Sequence, residues 1–160
     1  KVTASVELPG EQIAKQLHTT PKRMEDYWRM SALGGVMSGS IGVQGHYANG
    51  LAALYLATGQ DAACVAESAV GVTRMELREG NRLFVSVTLP NIIAGTVGGG
   101  TGLPTQSAGL NIMGLKGAGK ARVFGEVCAA VCLAGELSII GALCAHEFAS
   151  AHKNLARGKA

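Results

Sequence analysis

The chain is organised around the stretch Ala94-Gly-Thr-Val-Gly-Gly-Gly-Thr-Gly-Leu-Pro104, which holds five glycines within eight positions, residues 95–102. A strand-like run over residues 82–89 precedes it, and an apolar helical pattern over residues 106–115 follows. Glycine lets another chain or a ligand approach the backbone closely, and free N–H groups ahead of a helix bind anions. The spacing matches neither G-x-G-x-x-G nor a P-loop. The stretch therefore predicts either a loop that lies against a phosphate or cofactor, or a tight connection between packed elements.

The composition indicates one globular domain. A length of 160 residues suits a single domain, and 48% hydrophobic against 16% charged residues favours a globular chain over a disordered one. Aromatic residues are scarce and 23 residues are glycine, so we expect a core of small aliphatic side chains with closely packed backbones. The net charge of +3 forms no continuous basic stripe, which argues against a nucleic-acid surface.

The cysteines Cys64, Cys128, Cys132 and Cys144 include no C-x-x-C pair, and no histidine lies at zinc-finger spacing from them. We therefore predict no metal site, and we expect buried free thiols in a reducing compartment. The first residues alternate with polar side chains, so no signal peptide is predicted.

The local patterns predict an α+β fold that is mostly helical. Period-two alternation indicates strands, helical spacing indicates helices, and Thr20-Pro21 and Gly59 supply a helix start and a helix end. The predicted elements are a strand over residues 2–8, helices over 11–17, 21–37, 46–58 and 106–115, and a β-hairpin over 71–89 with strands 71–77 and 83–89.

The longest predicted element is a central helix over residues 122–152, which contain no proline. Residues 127–145 carry a single charge, Glu136. A helix of this length and apolarity can cross a membrane or fill a protein core. A carboxylate is costly at the middle of a bilayer, so we favour the core helix and expect no membrane partner.

Asp61 is the first candidate catalytic residue. It follows the helix end at Gly59 and has alanine and valine neighbours. The negative end of the helix dipole and the loss of hydration both favour a protonated carboxyl, which suits a proton donor. The alternative is that Asp61 caps the turn that follows it.

His152 is the second candidate, at the predicted C-terminal end of the long helix. That position stabilises a protonated imidazole, which is a good general acid near neutral pH. The alternative is a surface histidine on a frayed helix end. The other three histidines have no companions at ligand spacing, and no Ser-His-Asp order or G-x-S-x-G elbow is present.

The motifs together resemble 3-hydroxy-3-methylglutaryl-CoA (HMG-CoA) reductase of class I, over essentially the whole chain. The combination is specific although each motif alone is not. The motifs are Gly59-Gln60-Asp61-Ala62-Ala63, Gly95-Thr96-Val97-Gly98-Gly99-Gly100-Thr101, Gly135-Glu136-Leu137-Ser138 and the C-terminal His152.

The resemblance implies a role for each matching residue. Asp61 matches the catalytic aspartate, and His152 matches the histidine that protonates the departing CoA thiolate. Asn49 matches an active-site asparagine beside the substrate, and Arg29 lies next to the position of a substrate-binding lysine. The positions that match the cofactor-binding loop are Thr96, Val97, Gly98 and Gly99.

The resemblance also implies a reaction, in which HMG-CoA is reduced in two steps to mevalonate and free CoA with two molecules of NADPH. NADH is not excluded, because the residues that discriminate between the two cofactors lie upstream. The chain would be the C-terminal portion, residues 1–160, of the large substrate-binding domain. The small cofactor domain and the catalytic glutamate and lysine would lie upstream, so the isolated chain is expected to be inactive.

Further expectations concern assembly and location. Active sites in the family form between subunits, so we expect a homo-oligomer. The position of a regulatory serine in animal enzymes is Gly158 here, which together with the expected lack of a membrane segment indicates a cytoplasmic prokaryotic enzyme. Two alternatives stay open: a non-catalytic binding or assembly module that retains the fold, and a small membrane protein that uses the 122–152 helix.

Overall fold

The computed structural model describes residues 1–150 and residue 153. Within them the chain has the predicted α+β character. The predicted catalytic His152 and the position Gly158 lie outside the described residues. The elements in order are β1 (Val2–Pro9), α1 (Gly10–Leu17), α2 (Pro21–Met37), α3 (Tyr47–Thr58), α4 (Cys64–Ser68), β2 (Val72–Arg78), β3 (Arg82–Leu89), a 3-10 helix (Gly99–Gly102), α5 (Pro104–Ile112) and α6 (Ala121–Cys144).

The three strands form one antiparallel sheet in the order β1-β3-β2. The predicted hairpin is confirmed: β2 and β3 pair from Val72 with Thr88 to Arg78 with Arg82. Its turn uses Gly80 at φ 70°, where glycine avoids the steric penalty of a left-handed conformation. The inward face of β3 is fully buried and consists of Leu83, Val85, Val87 and Leu89.

The central element is α6, which packs against α1, α2, α3, β1 and β3. By length and apolar composition alone it could cross a membrane. In the fold it is the core helix, with Phe124, Cys128 and Cys132 fully buried in the hydrophobic core. A core helix surrounded by other elements is the interpretation that the sequence favoured, and it is confirmed.

The prediction of one continuous helix over residues 122–152 is wrong. The helix ends at Cys144, and His146 adopts a left-handed conformation with φ 61°. The backbone N–H of Glu147 then donates to the carbonyl of Ala142 at 2.9 Å. This bond closes the kind of C-terminal motif in which glycine is the usual left-handed residue.

His18, which follows α1, and Arg23 of α2 make contacts just beyond this end of α6. His18 Nδ1 donates to Glu147 Oε1 at 3.0 Å, and the Arg23 guanidinium contacts His146 Nε2 at 3.0 Å. Helical backbone resumes at Phe148. Residues 142–148 contain no glycine or proline to signal a break, so the ending coincides with long-range contacts and has no signal in the local sequence.

Candidate active site

Asn49, Asp61 and the glycine-rich loop adjoin α3, whereas Arg29 lies on α2. Gly59 ends α3 in a left-handed conformation, φ 71°, as predicted. Asp61 follows two residues later, and its Oδ1 accepts a hydrogen bond from the N–H of Ala63 at 2.9 Å. The side chain is exposed, so the expected loss of hydration is not seen in this chain. The capping role, which was the alternative for Asp61, is therefore present in the structure.

The glycine-rich loop lies directly against the end of α3. A Cβ added to Gly59 would lie 2.3 Å from the carbonyl atoms of Gly100, and a Cβ added to Gly100 would lie 2.7 Å from the oxygen of Gly59. No side chain fits at such distances, so glycine is required at both positions. For this part of the loop, the interpretation as a tight connection between packed elements is confirmed.

The outer part of the loop is different. Val97 is 60% exposed, and Gly98 and Gly99 have open space where a Cβ would stand. Their φ angles of 75° and 52° are left-handed, so glycine serves the backbone conformation there and not packing. We call residues 97–99 the loop crest. At Gly98 and Gly99 it presents bare backbone to solvent, which suits a ligand.

Two threonines hold the loop in shape. Thr96 is buried; its hydroxyl donates to the carbonyl of Gly117 at 2.7 Å, and the N–H of Gly117 donates back to the Thr96 carbonyl at 3.0 Å. The hydroxyl of Thr101 donates to the Gly98 carbonyl at 2.6 Å. Of the four predicted cofactor-binding positions, Thr96 therefore anchors the loop, while Val97, Gly98 and Gly99 form the crest.

Asn49 lies in the first turn of α3 and is exposed. Asp61 lies three residues beyond Thr58, the last residue of the helix. The helix rises roughly 14 Å between Asn49 and Thr58, so the two residues lie towards opposite ends of α3.

The start of α3 is fixed by Glu136, a residue for which sequence reasoning found no role beyond its cost in a membrane. Its carboxylate, only 1% exposed, accepts hydrogen bonds from the N–H of His46 at 2.7 Å and from the hydroxyl of Thr73 at 3.1 Å. The Tyr47 hydroxyl adds a 3.0 Å contact with Thr73. The available signal was a single charge within an apolar helix, because a buried charge needs partners.

Burial dominates the electrostatics of this network. It raises the pKa of Glu136 because the charged form loses hydration, although the hydrogen bonds from His46 and Thr73 oppose the shift. Burial likewise raises the pKa of Tyr47 above its ordinary range. The neighbouring residue 135 must also be glycine, because an added Cβ would lie 1.7 Å from the imidazole of His46. The Gly135-Glu136 pair therefore holds the first turn of α3.

Arg29, the predicted substrate-binding residue on α2, pairs with Glu25 at 3.2 Å. The buried carboxylate of Glu25 also accepts from the N–H of Leu77 on β2 at 3.0 Å. Among the ion pairs of residues 1–150, Arg29 thus engages a structural carboxylate and not one of the predicted site residues. Its guanidinium is more than half exposed, so it can still meet a ligand.

Metal chemistry finds no support among the described residues, where no group of three or more His, Cys, Asp or Glu side chains could hold an ion. The four cysteines are free thiols. Burial raises the pKa of Cys128 and of Cys132 to about 12. Both thiols are therefore protonated at neutral pH and act as small core residues.

Comparison with known proteins gives a consistent result. A family profile described as "Hydroxymethylglutaryl-coenzyme A reductase" matches residues 1–157. The chain is 45% identical over 158 residues to the 3-hydroxy-3-methylglutaryl-coenzyme A reductase of Methanothermobacter thermautotrophicus, covering 98% of this chain and 40% of that protein. It is 44% identical over 162 residues to the reductase of Haloferax volcanii, with the same two coverages.

A similar protein from a plant, the reductase of Camptotheca acuminata, is 40% identical and is matched by 94% of this chain, over 27% of its own length. The chain therefore spans about 40% of the length of the first two relatives. Since the family profile matches nearly every residue, including the Gly59-Gln60-Asp61 motif and the glycine-rich loop, the chain belongs to the hydroxymethylglutaryl-coenzyme A reductase family.

Proposed function

We propose that the full-length protein reduces HMG-CoA to mevalonate and CoA with two molecules of NADPH, in the mevalonate route to isoprenoids. This chain contributes the C-terminal portion of the large substrate-binding domain. One observation carries the proposal: the backbone of Gly59 packs against Gly100, which brings the carboxylate-bearing residue Asp61 and the exposed loop crest into one unit. That is the juxtaposition of proton donor and cofactor surface that a reductase requires.

The proposed roles follow from the charge that develops in the reaction. Hydride addition to a thioester carbonyl leaves an oxyanion, which needs a cation or a proton. Asp61, next to a lysine from the upstream part of the enzyme, supplies the proton. His152 protonates the departing CoA thiolate so that it does not attack the aldehyde again, while Asn49 and Arg29 bind the substrate.

The loop fits part of a dinucleotide. At Gly98 and Gly99 the crest offers backbone N–H groups and space without side chains, and Thr96 anchors the loop. Residues 95–102 include no lysine or arginine. In this proposal the cofactor phosphates are held mainly by the cofactor domain that the family resemblance places upstream, which also decides between NADPH and NADH.

The test uses Asp61→Asn in the full-length protein, with Asp26→Asn as the matched control. Asp26 is exposed and forms an ion pair with Lys22 on the surface of α2. We expect Asp61→Asn to lower turnover by about 100-fold or more with CoA-ester binding intact, and Asp26→Asn to leave both unchanged. Unchanged turnover in Asp61→Asn would refute the assignment. A wild-type protein that binds the CoA ester but never reduces it would favour the alternative, a non-catalytic assembly module.

We also propose a cytoplasmic homo-oligomer. The outer face of α2 and Ile41 in the loop after it expose large apolar side chains, between 63% and 86% each, which a monomer in water rarely leaves uncovered. These residues are Met30, Leu33, Val36, Met37 and Ile41. Light scattering on the full-length protein measures its mass, and a monomer would contradict the proposal.

A further inference from the structure

The side chain of Gln60 makes two hydrogen bonds to a single residue of the glycine-rich loop. Its Nε2 donates to the carbonyl of Gly95 at 2.9 Å, and its Oε1 accepts from the N–H of Gly95 at 2.7 Å. A carboxamide carries one donor and one acceptor in a plane, so it pairs with the loop backbone as a neighbouring strand would. The pair fixes the orientation of Gly95 as well as its distance.

The position of Gln60 in the chain gives this pair its importance. Gly59, the preceding residue, is in backbone contact with Gly100 at the far end of the loop, and Asp61 is the next residue. Gln60 therefore holds the loop at its start and Gly59 holds it near its end, while Asp61 carries the carboxylate. The loop crest lies between the two points of attachment.

We propose that Gln60 is a positioning residue that sets the placement of the loop crest, and hence of the bound nicotinamide cofactor, relative to Asp61. This inference rests on the proposed function. Glycine-rich backbone has many accessible conformations, so the crest needs an external support to hold one of them. Hydride donors react only when the atoms are close and aligned, and a misplacement of about 1 Å costs on the order of 100-fold in rate.

The test compares Gln60→Met with Gln16→Met in the full-length protein. Methionine keeps the length of the side chain and removes both hydrogen bonds to Gly95, together with the bond that Gln60 Nε2 donates to the carbonyl of Thr58 at 3.2 Å. Gln16 is an exposed glutamine on α1. We expect Gln60→Met to raise the KM for NADPH by about tenfold and to lower kcat, with the KM for HMG-CoA within about twofold of the wild type. Gln16→Met should match the wild type.

A purely structural role gives a different result, since it lowers the amount of folded enzyme and leaves both KM values unchanged. That outcome, or a Gln60→Met variant that behaves like Gln16→Met, would overturn the inference. Gln60→Glu gives a graded second variant, because it keeps the acceptor for the Gly95 N–H but sets a carboxylate against the Gly95 carbonyl. We expect its KM for NADPH to rise as well.

A second readout separates this inference from the proposed function. Hydrogen exchange measured by mass spectrometry should show faster exchange at residues 95–102 in Gln60→Met, with α6 unchanged. If the wild type fails to reduce HMG-CoA with NADPH, the proposed function is wrong, while faster loop exchange still supports Gln60 as the residue that positions the loop. Unchanged loop exchange refutes the role of Gln60 whatever the activity.

Discussion

The two ends of α3 are held by different chemistry. At its start, the buried carboxylate of Glu136 accepts from the backbone of His46. At its end, the half-buried neutral amide of Gln60 pairs with Gly95. A buried charge without its partners is far more costly than a half-exposed amide without its own. We therefore infer that the first end matters mainly for folding and the second mainly for the placement of the loop.

The choice of a carboxylate at the start of α3 has a physical reason. The first N–H groups of a helix have no partner within the helix, and the positive end of the helix dipole attracts negative charge. The side chain that satisfies one such group comes from α6, ninety positions away. The core helix and the site helix are thus joined through polar atoms inside the hydrophobic core.

The largest expected effect is on stability, in Glu136→Ala. This change leaves the N–H of His46 and the hydroxyl of Thr73 without their buried acceptor, and we expect a loss of about 3–5 kcal/mol in the free energy of unfolding. Urea unfolding of the full-length protein measures it. The control is Glu126→Ala, an exposed glutamate on the same helix, which should change stability by less than about 0.5 kcal/mol. Equal effects in the two variants would show that Glu136 does not hold α3.

A second prediction concerns the same end of α3, where Gly135 meets His46. In Gly135→Ala the new methyl group would overlap the imidazole of His46, so we expect a loss of about 1–3 kcal/mol. Gly125→Ala is the matched control on α6, because its nearest neighbour would be a side-chain carbon of Ile92 at 3.6 Å, an ordinary contact. The free energy of unfolding of Gly125→Ala should rise by up to about 1 kcal/mol because alanine has the higher helix propensity. Thermal unfolding of both variants gives the difference, and a Gly135→Ala variant as stable as Gly125→Ala would contradict the packing argument.

The other end of α3 should respond more locally. Gly100→Ala places a methyl group against the backbone oxygen of Gly59, whereas Gly102→Ala in the same 3-10 helix meets nothing within 4 Å. We expect Gly100→Ala to lower the free energy of unfolding by about 1–2 kcal/mol and to increase hydrogen exchange across the loop. Gly102→Ala should be close to neutral. Similar exchange in the two variants would mean that the contact with Gly59 does not hold the loop.

Sequence alone predicted those parts of the fold that have local signals. Thr20 accepts from the N–H of Arg23 as the predicted helix cap, Gly59 ends α3, and the glycine turn of the hairpin joins β2 and β3. The break of α6 at His146 could not be predicted in the same way. It coincides with long-range contacts from His18 and Arg23, and its left-handed residue is not glycine.

The candidate site shows the same difference between features with a local sequence signal and features that depend on long-range contacts. The motif residues were found by resemblance, and the capping bond of Asp61 was foreseen from its place after a helix. The contact between Gly59 and Gly100 and the bonds from Gln60 to Gly95 join residues at least 35 positions apart. No local pattern encodes that separation. For the same reason, Glu136 could be recognised as an isolated charge, but not as the partner of His46 and Thr73.

The most gradual effect concerns pH, and it isolates the charge of Glu136 from its shape. Because burial raises the pKa of Glu136 above its ordinary value of 4.5, the folded state holds this proton more tightly than the unfolded state does. The resulting stability is complete below the unfolded pKa and is lost as the pH rises through the folded pKa. Glu136→Gln keeps the shape of the side chain but does not ionise. Its free energy of unfolding relative to the wild type should therefore rise over that pH range.

We expect this relative gain to be at most about 1.4 kcal/mol per pH unit. Urea unfolding of wild type and Glu136→Gln at several values between about pH 4.5 and pH 8 measures it, with Glu126→Gln as the exposed control. A difference between wild type and Glu136→Gln that does not change with pH would mean that the hydrogen bonds from His46 and Thr73 offset the lost hydration of the carboxylate. The start of α3 would then be held by a carboxylate that is as stable in the core as in water. The two ends of α3, held by Glu136 and Gln60, would then differ only in the geometry of their hydrogen bonds.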